Sequence, residues 1–485
     1  MARTHYERLS ALDASMVLME TSDTHMHIGE VGIVEAGPLA TESGGIDMAR
    51  IRARIEGGLD AIPRHRQRLA FIPVEHHPVW VDDDRFNLDY HVRHTALPRP
   101  GTIRQLKRLV GRIMSQPLDL SKPLWELWLV EGLEGGRCAM VNKLHHCMVD
   151  GISAVNVLSA WFSPDPHALA PAAGAELGRS RVRRAAAARS VAAALTDPVP
   201  TLEAIRDTAE GAVEAVAEKM RPAARTPLNL DEVGPHRRLD WLRFDLDEVK
   251  EVKNRLGGKV NDVVLATVAG ALGRYLRTHR RSLAGLDFRV VVPINTRPAA
   301  AVAELGNRVV PTLACLPLEV RDPAQRLRLV AETTQAPEAA KQVHAIEVFE
   351  DFSNWAAAAP LAELVRRVTR WWAGNLIVTN VPGPPFPLYL LGARLLEGYP
   401  FVPMMANQAL GIALLSYDGA LYWGFNADRD GVADLHELVA CFEAAFAELK
   451  QAAGMTTTRP APSRRARSAG AQPHGAATRA RRPAP

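Results

Sequence analysis

Apolar positions recur with two different periods along the chain, and they mark out two α/β stretches separated by a region of other composition. In the first stretch, residues 137–144 (RCAMVNKL) follow the Gly135–Gly136 turn and read as a short half-buried strand. Directly after it, Ile152, Val155, Leu158 and the run Ala160–Phe162 fall at helical spacing and predict a helix over 152–162. The second stretch begins near Pro235. Residues 245–256 carry helical charge pairing, and 261–276 (NDVVLATVAGALGRYL) predict a helix with Asn261 placed to cap it. Residues 288–293 (FRVVVP) have the pattern of a buried strand, 375–381 and 421–426 predict further strands, and 434–451 predict a closing amphipathic helix.

Between the two stretches, residues 166–226 are dominated by alanine, proline and arginine, and 179–194 contain little but Arg, Ala, Ser and Val. Within this region 201–220 has a helical face of Leu202, Ile205, Ala209, Val213 and Val216, and Pro222 and Pro227 close it. The reading is a first half over 1–165, a partly helical crossover over 166–226, a second half over 227–455, and a tail over 456–485. The Pro/Ala/Arg tail has too little apolar surface to order itself. No short internal repeat is present. Two α/β halves of similar size joined by a long linker put a cleft between them, the default place for a ligand.

Composition agrees with this organisation. At 485 residues the chain exceeds one ordinary core, and 47% hydrophobic with 23% charged residues is the balance of a folded globular protein. The net charge of +4 is unevenly placed, because the tail holds seven arginines and no acid; subtracting the seven leaves −3 for the body. A nucleic-acid enzyme would carry its basic charge on the folded face, so this distribution argues against that class. Four scattered cysteines (Cys138, Cys147, Cys315, Cys441) form no CxxC or zinc spacing and fit a reducing, cytoplasmic compartment. No apolar run reaches the roughly 18 residues of a membrane span; the nearest, 401–416, is broken by Asn407 and Gln408. The N-terminus lacks a signal peptide's apolar stretch, so any membrane contact is expected to be peripheral.

Candidate chemistry concentrates in residues 145–151, His-His-Cys-Met-Val-Asp-Gly, between the predicted strand and the predicted helix. A histidine there projects from a fixed loop and suits proton transfer at neutral pH. A lone histidine is more often structural. Two adjacent ones followed by an Asp-Gly turn at a strand–helix junction favour catalysis. A metal site is disfavoured, since adjacent histidines rarely face one ion and no third ligand is spaced nearby. No GxSxG elbow of a serine hydrolase occurs.

This stretch resembles the HHxxxDG motif of chloramphenicol-acetyltransferase-like, coenzyme A-dependent acyltransferases. Over nearly its folded length the chain is similar to the bacterial wax ester synthase/diacylglycerol acyltransferase family. The resemblance is carried by residues 9–13 (LSALD), 25–29 (HMHIG), 123–126 (PLWE), 226–229 (TPLN), 234–238 (GPHRR), 260–266 (VNDVVLA), 305–308 (LGNR) and 379–384 (TNVPGP). His25 stands where the family usually has proline, and 294–297 (INTR) is a variant of its Val-Pro-X-X-X-Arg stretch. The Arg-rich extension after Met455 has no counterpart.

The resemblance implies an α/β fold of two chloramphenicol-acetyltransferase-like domains with a central cleft or channel. The implied activity moves a fatty acyl group from acyl-CoA to diacylglycerol or a long-chain alcohol, with acyl-CoA as co-substrate and neither bound cofactor nor metal. His146 would be the general base and His145 would shape the loop. Asp150, followed by Gly151, would pair with an arginine, Arg297 first and Arg308 in reserve, or simply cap the following helix. Asn261 would hydrogen-bond near the reacting carbonyl or serve as an ordinary N-cap. Pro123, Leu124 and Trp125 would border a substrate pocket or belong to the core. Greasy substrates imply visits to a membrane or lipid-droplet surface. Residues 364–372 (LVRRVTRWW) would suit an interfacial helix or pack on the core, and the basic tail would add attraction to anionic lipid. Two rival expectations are another hydroxylated lipid as acceptor, and a non-catalytic lipid-binding relative.

Overall fold

The computed structural model describes residues 6–73, 77–148, 160–168, 223–295, 309–335, 374–405 and 407–455. Within these, two six-stranded mixed sheets carry the architecture, and a small three-stranded sheet (Glu7–Arg8, Pro78–Asp82, Gln67–Phe71) flanks the first. In spatial order the first sheet runs Tyr389–Leu390, Ala393–Phe401, His27–Glu35, Arg137–His145, Trp125–Leu133, Val92–Ala96. The second runs Val309–Cys315, Arg289–Asn295, Leu376–Pro382, Leu410–Tyr417, Ala420–Asp428, Arg237–Asp245.

The Arg137–His145 strand lies in the middle of the first sheet, with antiparallel partners on both edges. The sequence reading of this strand as half-buried is corrected: every residue after Arg137 is buried. Both of its faces are covered. On one, Lys143 points at the C-terminal end of the Ile103–Ser115 helix, donating to the Ile113 carbonyl at 3.0 Å and also to that of Gln116. On the other, Asn142 and Met140 face Trp161 and Phe162. Gly135 and Gly136 lead into it with φ of 79° and 68°, a left-handed pair that favours glycine. The Ile103–Ser115 helix is closed at its start by a Thr102/Gln105 capping box. It buries Leu106, Val110, Ile113 and Met114 and leaves Arg104, Arg108 and Arg112 exposed.

In the second half the Val260–Thr278 helix is almost wholly buried and packs against the helices Pro323–Gln335 and Leu435–Ala452. The expected helix over 245–256 is present as Leu246–Leu256, with Asp245 accepting from the backbone N–H groups of Asp247 and Glu248. The strands expected near 288–293, 375–381 and 421–426 appear within a residue or two. The crossover helix over 201–220, the helix over 152–162 except its last residues, the segment 364–372 and the basic tail lie outside the described residues.

The two sheets interlock through one strand. Ala393–Phe401, late in the sequence, pairs antiparallel with His27–Glu35, so Gly398 stands opposite Gly32 and Phe401 opposite Gly29. Side chains of the second sheet hold this segment by its carbonyls. Tyr417 Oη donates to Leu395 O at 2.9 Å, Tyr422 Oη to Leu396 O at 3.0 Å, and Asn426 Nδ2 to Val402 O at 2.9 Å. Tyr417 and Tyr422 accordingly belong to the same apolar cluster as the first sheet.

Candidate active site

The central strand of the first sheet ends at His145, and its two neighbours define where His146 stands. His145 is paired in register with His27, and its backbone N–H donates to Leu124 O at 3.0 Å. The N–H of His146 donates to Met26 O at 2.7 Å, and Met148 N–H closes the turn onto His145 O at 3.0 Å. His146 is half-buried, whereas His145 has no exposed surface. The two adjacent imidazoles thus occupy different environments, as the alternation of side chains at a strand end requires.

Inside the sheet, His145 Nε2 lies 2.6 Å from Glu20 Oε2, and its Nδ1 accepts the Cys147 backbone N–H at 3.2 Å. A ring nitrogen that accepts an N–H carries no proton, so the proton of His145 is on Nε2 and points at Glu20. Glu20 follows the Ala11–Met19 helix. Its other oxygen lies 3.5 Å from His25 Nδ1 and 3.6 Å from His27 Nε2. Burial pushes the Glu20 carboxyl up, but its contacts with His145 and His25 outweigh this and hold it at about 2, so Glu20 is a carboxylate. Burial, reinforced by Lys143 and the neighbouring imidazoles, keeps His27 well below the usual histidine range and therefore neutral. His25 and His27 stack at 5.1 Å. Among the described residues no group of His, Cys, Asp or Glu is arranged to hold a metal ion. Burial also raises the Cys147 thiol well above its ordinary value, which disfavours the thiolate.

Pro123, Leu124 and Trp125 are buried, Leu124 and Trp125 completely. The Trp125 indole N–H donates to His65 O at 2.8 Å, and its ring stacks on His91 at 4.6 Å. These residues sit in the core beneath the histidine loop, and Leu124 supplies the carbonyl that holds His145. Asn261 is the second residue of its helix, half-buried, and not its cap. The N-cap position is Lys259, whose N–H donates to Asp262 Oδ2 at 2.7 Å, while Thr334 Oγ1 donates to Asp262 Oδ1 at 2.8 Å. Asp150, Gly151, Arg297 and Arg308 lie outside the described residues.

The start of the second half is latched beside this loop. Arg237 donates from its backbone N–H to Ser115 Oγ at 2.8 Å and from a guanidinium nitrogen to Asp23 O at 2.6 Å. Lys107 forms an ion pair with Asp240, and its ammonium lies 4.7 Å over the Trp241 ring, which in turn stacks on Tyr399 at 5.2 Å.

Glu20, His25 and His27 were not singled out for chemistry from the sequence. The signal the sequence holds is the His-x-His spacing, which in an extended chain puts both imidazoles on one side. Their convergence on His145 depends on strand register, which a sequence does not display.

Two interlocked mixed sheets with a histidine loop at the end of a central strand define the α/β class of this protein. The starter condensation domain of rhizomide synthetase, solved with C8-CoA, shares this fold with a TM-score of 0.61 at 13% identity, covering 93% of this chain and 95% of that one. The wax ester synthase/diacylglycerol acyltransferase of Marinobacter aquaeolei VT8 is more similar: TM-score 0.70, 27% identity, 93% of this chain and all of that one. The catalytic domain of wax ester synthase/diacylglycerol acyltransferases matches residues 9–264, and that family's C-terminal domain matches 305–450. A probable diacylglycerol O-acyltransferase of Mycobacterium tuberculosis H37Rv is 33% identical over 462 residues, 91% of this chain and 95% of the relative. The chain belongs to the wax ester synthase/diacylglycerol acyltransferase family.

Proposed function

We propose that the protein transfers a fatty acyl group from acyl-CoA to diacylglycerol, a long-chain alcohol or both, with His146 as general base. The observation that carries this reading is the fixed placement of a half-buried His146 just past the central strand, backed by a fully buried His145. His146 takes the proton of the acceptor hydroxyl as its oxygen bonds to the thioester carbonyl carbon. When the C–S bond breaks, the proton passes to the departing thiolate. Because a thioester is already activated, the step calls for no bound cofactor, metal or acyl-enzyme. A positioned base contributes roughly 10²–10⁴-fold, and alignment of the two substrates supplies much of the remainder. Asn261, free of capping duty, is assigned to the reacting carbonyl, and Asp150 with Arg297 to the support of the loop.

Among the described residues no helix is long and apolar enough to cross a membrane. With greasy acceptor and product, the enzyme is assigned to the surface of a membrane or lipid droplet, reached from the cytoplasm.

The test offers labelled palmitoyl-CoA with dioleoylglycerol and hexadecanol together, with His146→Ala beside the wild type. Labelled triacylglycerol or wax ester that falls by at least roughly 10²-fold in the variant supports the reading. A folded wild type that binds lipid without turnover, or a fully active His146→Ala, overturns it. Turnover of a different hydroxylated lipid alone would keep the chemistry and change the acceptor.

A further inference from the structure

The peptide of His146 is anchored on both sides, and both anchors trace back to one carboxylate. On the N-terminal side, the His146 N–H is held by the carbonyl of Met26, which lies between His25 and His27, both facing Glu20 at 3.5 and 3.6 Å. On the C-terminal side, the Cys147 N–H is held by His145 Nδ1, and that nitrogen can accept only while the ring proton stays on Nε2. The proton stays there because Glu20 Oε2 accepts it at 2.6 Å inside the sheet. In the other tautomer an Nδ1–H would meet the Cys147 N–H head on, and a bare Nε2 would face the carboxylate. Both contacts would turn repulsive, and the turn carrying His146 would have to move.

We propose that Glu20 is a positioning residue of the acyl transfer: by accepting the His145 Nε2 proton it fixes the tautomer that holds the His146–Cys147 turn in place. The proposal rests on His146 acting as the base, but the state of the His145 ring can be read without turnover. Support of this kind, one layer behind a reacting imidazole, is worth about 10–100-fold where it has been measured around metal-bound histidines.

Two substitutions separate an acceptor at the right place from a buried charge. Glu20→Gln keeps an oxygen within reach of His145 Nε2 and loses the charge. Glu20→Asp keeps the charge, but the side chain is one methylene shorter and cannot span the present 2.6 Å contact without displacement. Both remain polar and hydrogen-bonding, and thermal melts check that both fold. The expectation is that Glu20→Gln keeps kcat within about threefold of wild type, whereas Glu20→Asp lowers it about 10–100-fold with the KM for palmitoyl-CoA nearly unchanged. The second measurement is the ¹⁵N spectrum of the histidine rings, with the His145 signal assigned from a His145→Gln sample. It should report protonated Nε2 and bare Nδ1 in the wild type and in Glu20→Gln, and a shifted or mixed state in Glu20→Asp. The proposal is overturned if Glu20→Asp matches wild type in kcat and ring state, or if Glu20→Gln is the more impaired of the two. If the wild type turns over no acceptor, the functional reading fails, and the ring spectra still decide the Glu20–His145 pairing.

Discussion

Replacing Glu30 by glutamine should change how stability depends on pH. Glu30 lies opposite Asn142 in register, on the sheet face turned toward Leu127, Met140, Trp161, Phe162 and Leu395. Its Oε1 is sealed from solvent and has no hydrogen-bond partner among the described residues, although the residue as a whole keeps some exposed surface. Burial pushes its carboxyl from 4.5 up to about 7. At about 1.4 kcal/mol per pH unit, that gap corresponds to at most about 3.5 kcal/mol. The folded state binds the proton more tightly than the unfolded chain, so this contribution is fully present below pH 4.5. It is lost as pH rises through about 7, and above that both states are ionised and the loss is constant. Glutamine has the same shape and no titration. Whatever fixed offset the amide brings, the stability of Glu30→Gln relative to wild type should rise between pH 5 and pH 8. In thermal melts this is a change in the Tm difference of up to roughly 7–14 °C for a unit of this size. Parallel Tm curves for the two proteins across that range would refute the reasoning, because they would mean that Glu30 ionises in the folded state as it does in the unfolded chain.

Two further substitutions probe the framework around the site. Trp125→Ala removes a fully buried ring and the bond to His65 O, and should cost about 3–5 kcal/mol in urea unfolding, with transfer activity lost at temperatures where the wild type is stable. An unchanged midpoint would show that the Trp125 stack does not support the histidine loop. Gly424→Ala places a Cβ 1.7 Å from Pro400 O, where the interlocking strand crosses the second sheet. It should destabilise by about 1–3 kcal/mol or more and weaken the joint between the sheets, read as easier proteolysis of the crossing segment. Wild-type resistance would mean that the strand shifts at little cost.

Much of the second half could be read from periodicity, because its elements are long and locally consistent. The helix at Val260–Thr278 and the strands near 289, 376 and 420 are apolar runs bounded by turn residues, and burial on both faces of the sheet keeps such runs apolar. Asn261 misled as a cap because asparagine favours that position in general, while here Asp262, one residue on, reaches back to the Lys259 N–H. The first half was harder to read. Its central strand contains Asn142, Lys143 and His145, polar residues that periodicity assigns to a partly solvated strand. They are nevertheless buried, and Lys143 and His145 each have a partner from a distant segment, the end of the Ile103–Ser115 helix for one and Glu20 for the other.

By itself, then, the sequence determined the histidine loop and the chemistry it can support, since two histidines and an Asp-Gly turn at a strand–helix junction are local features. It also determined the family, through short motifs whose order survives divergence. Only the tertiary structure decided that the two histidines differ in environment, one sealed against Glu20 and the other half open. It alone decided that a strand from residues 393–401 completes the first sheet, and that Trp125 lies in the core. These outcomes depend on register and crossover connections. Hydrogen bonds between segments more than a hundred residues apart obey pairing geometry, and no local pattern of side chains encodes which distant strand will be the neighbour.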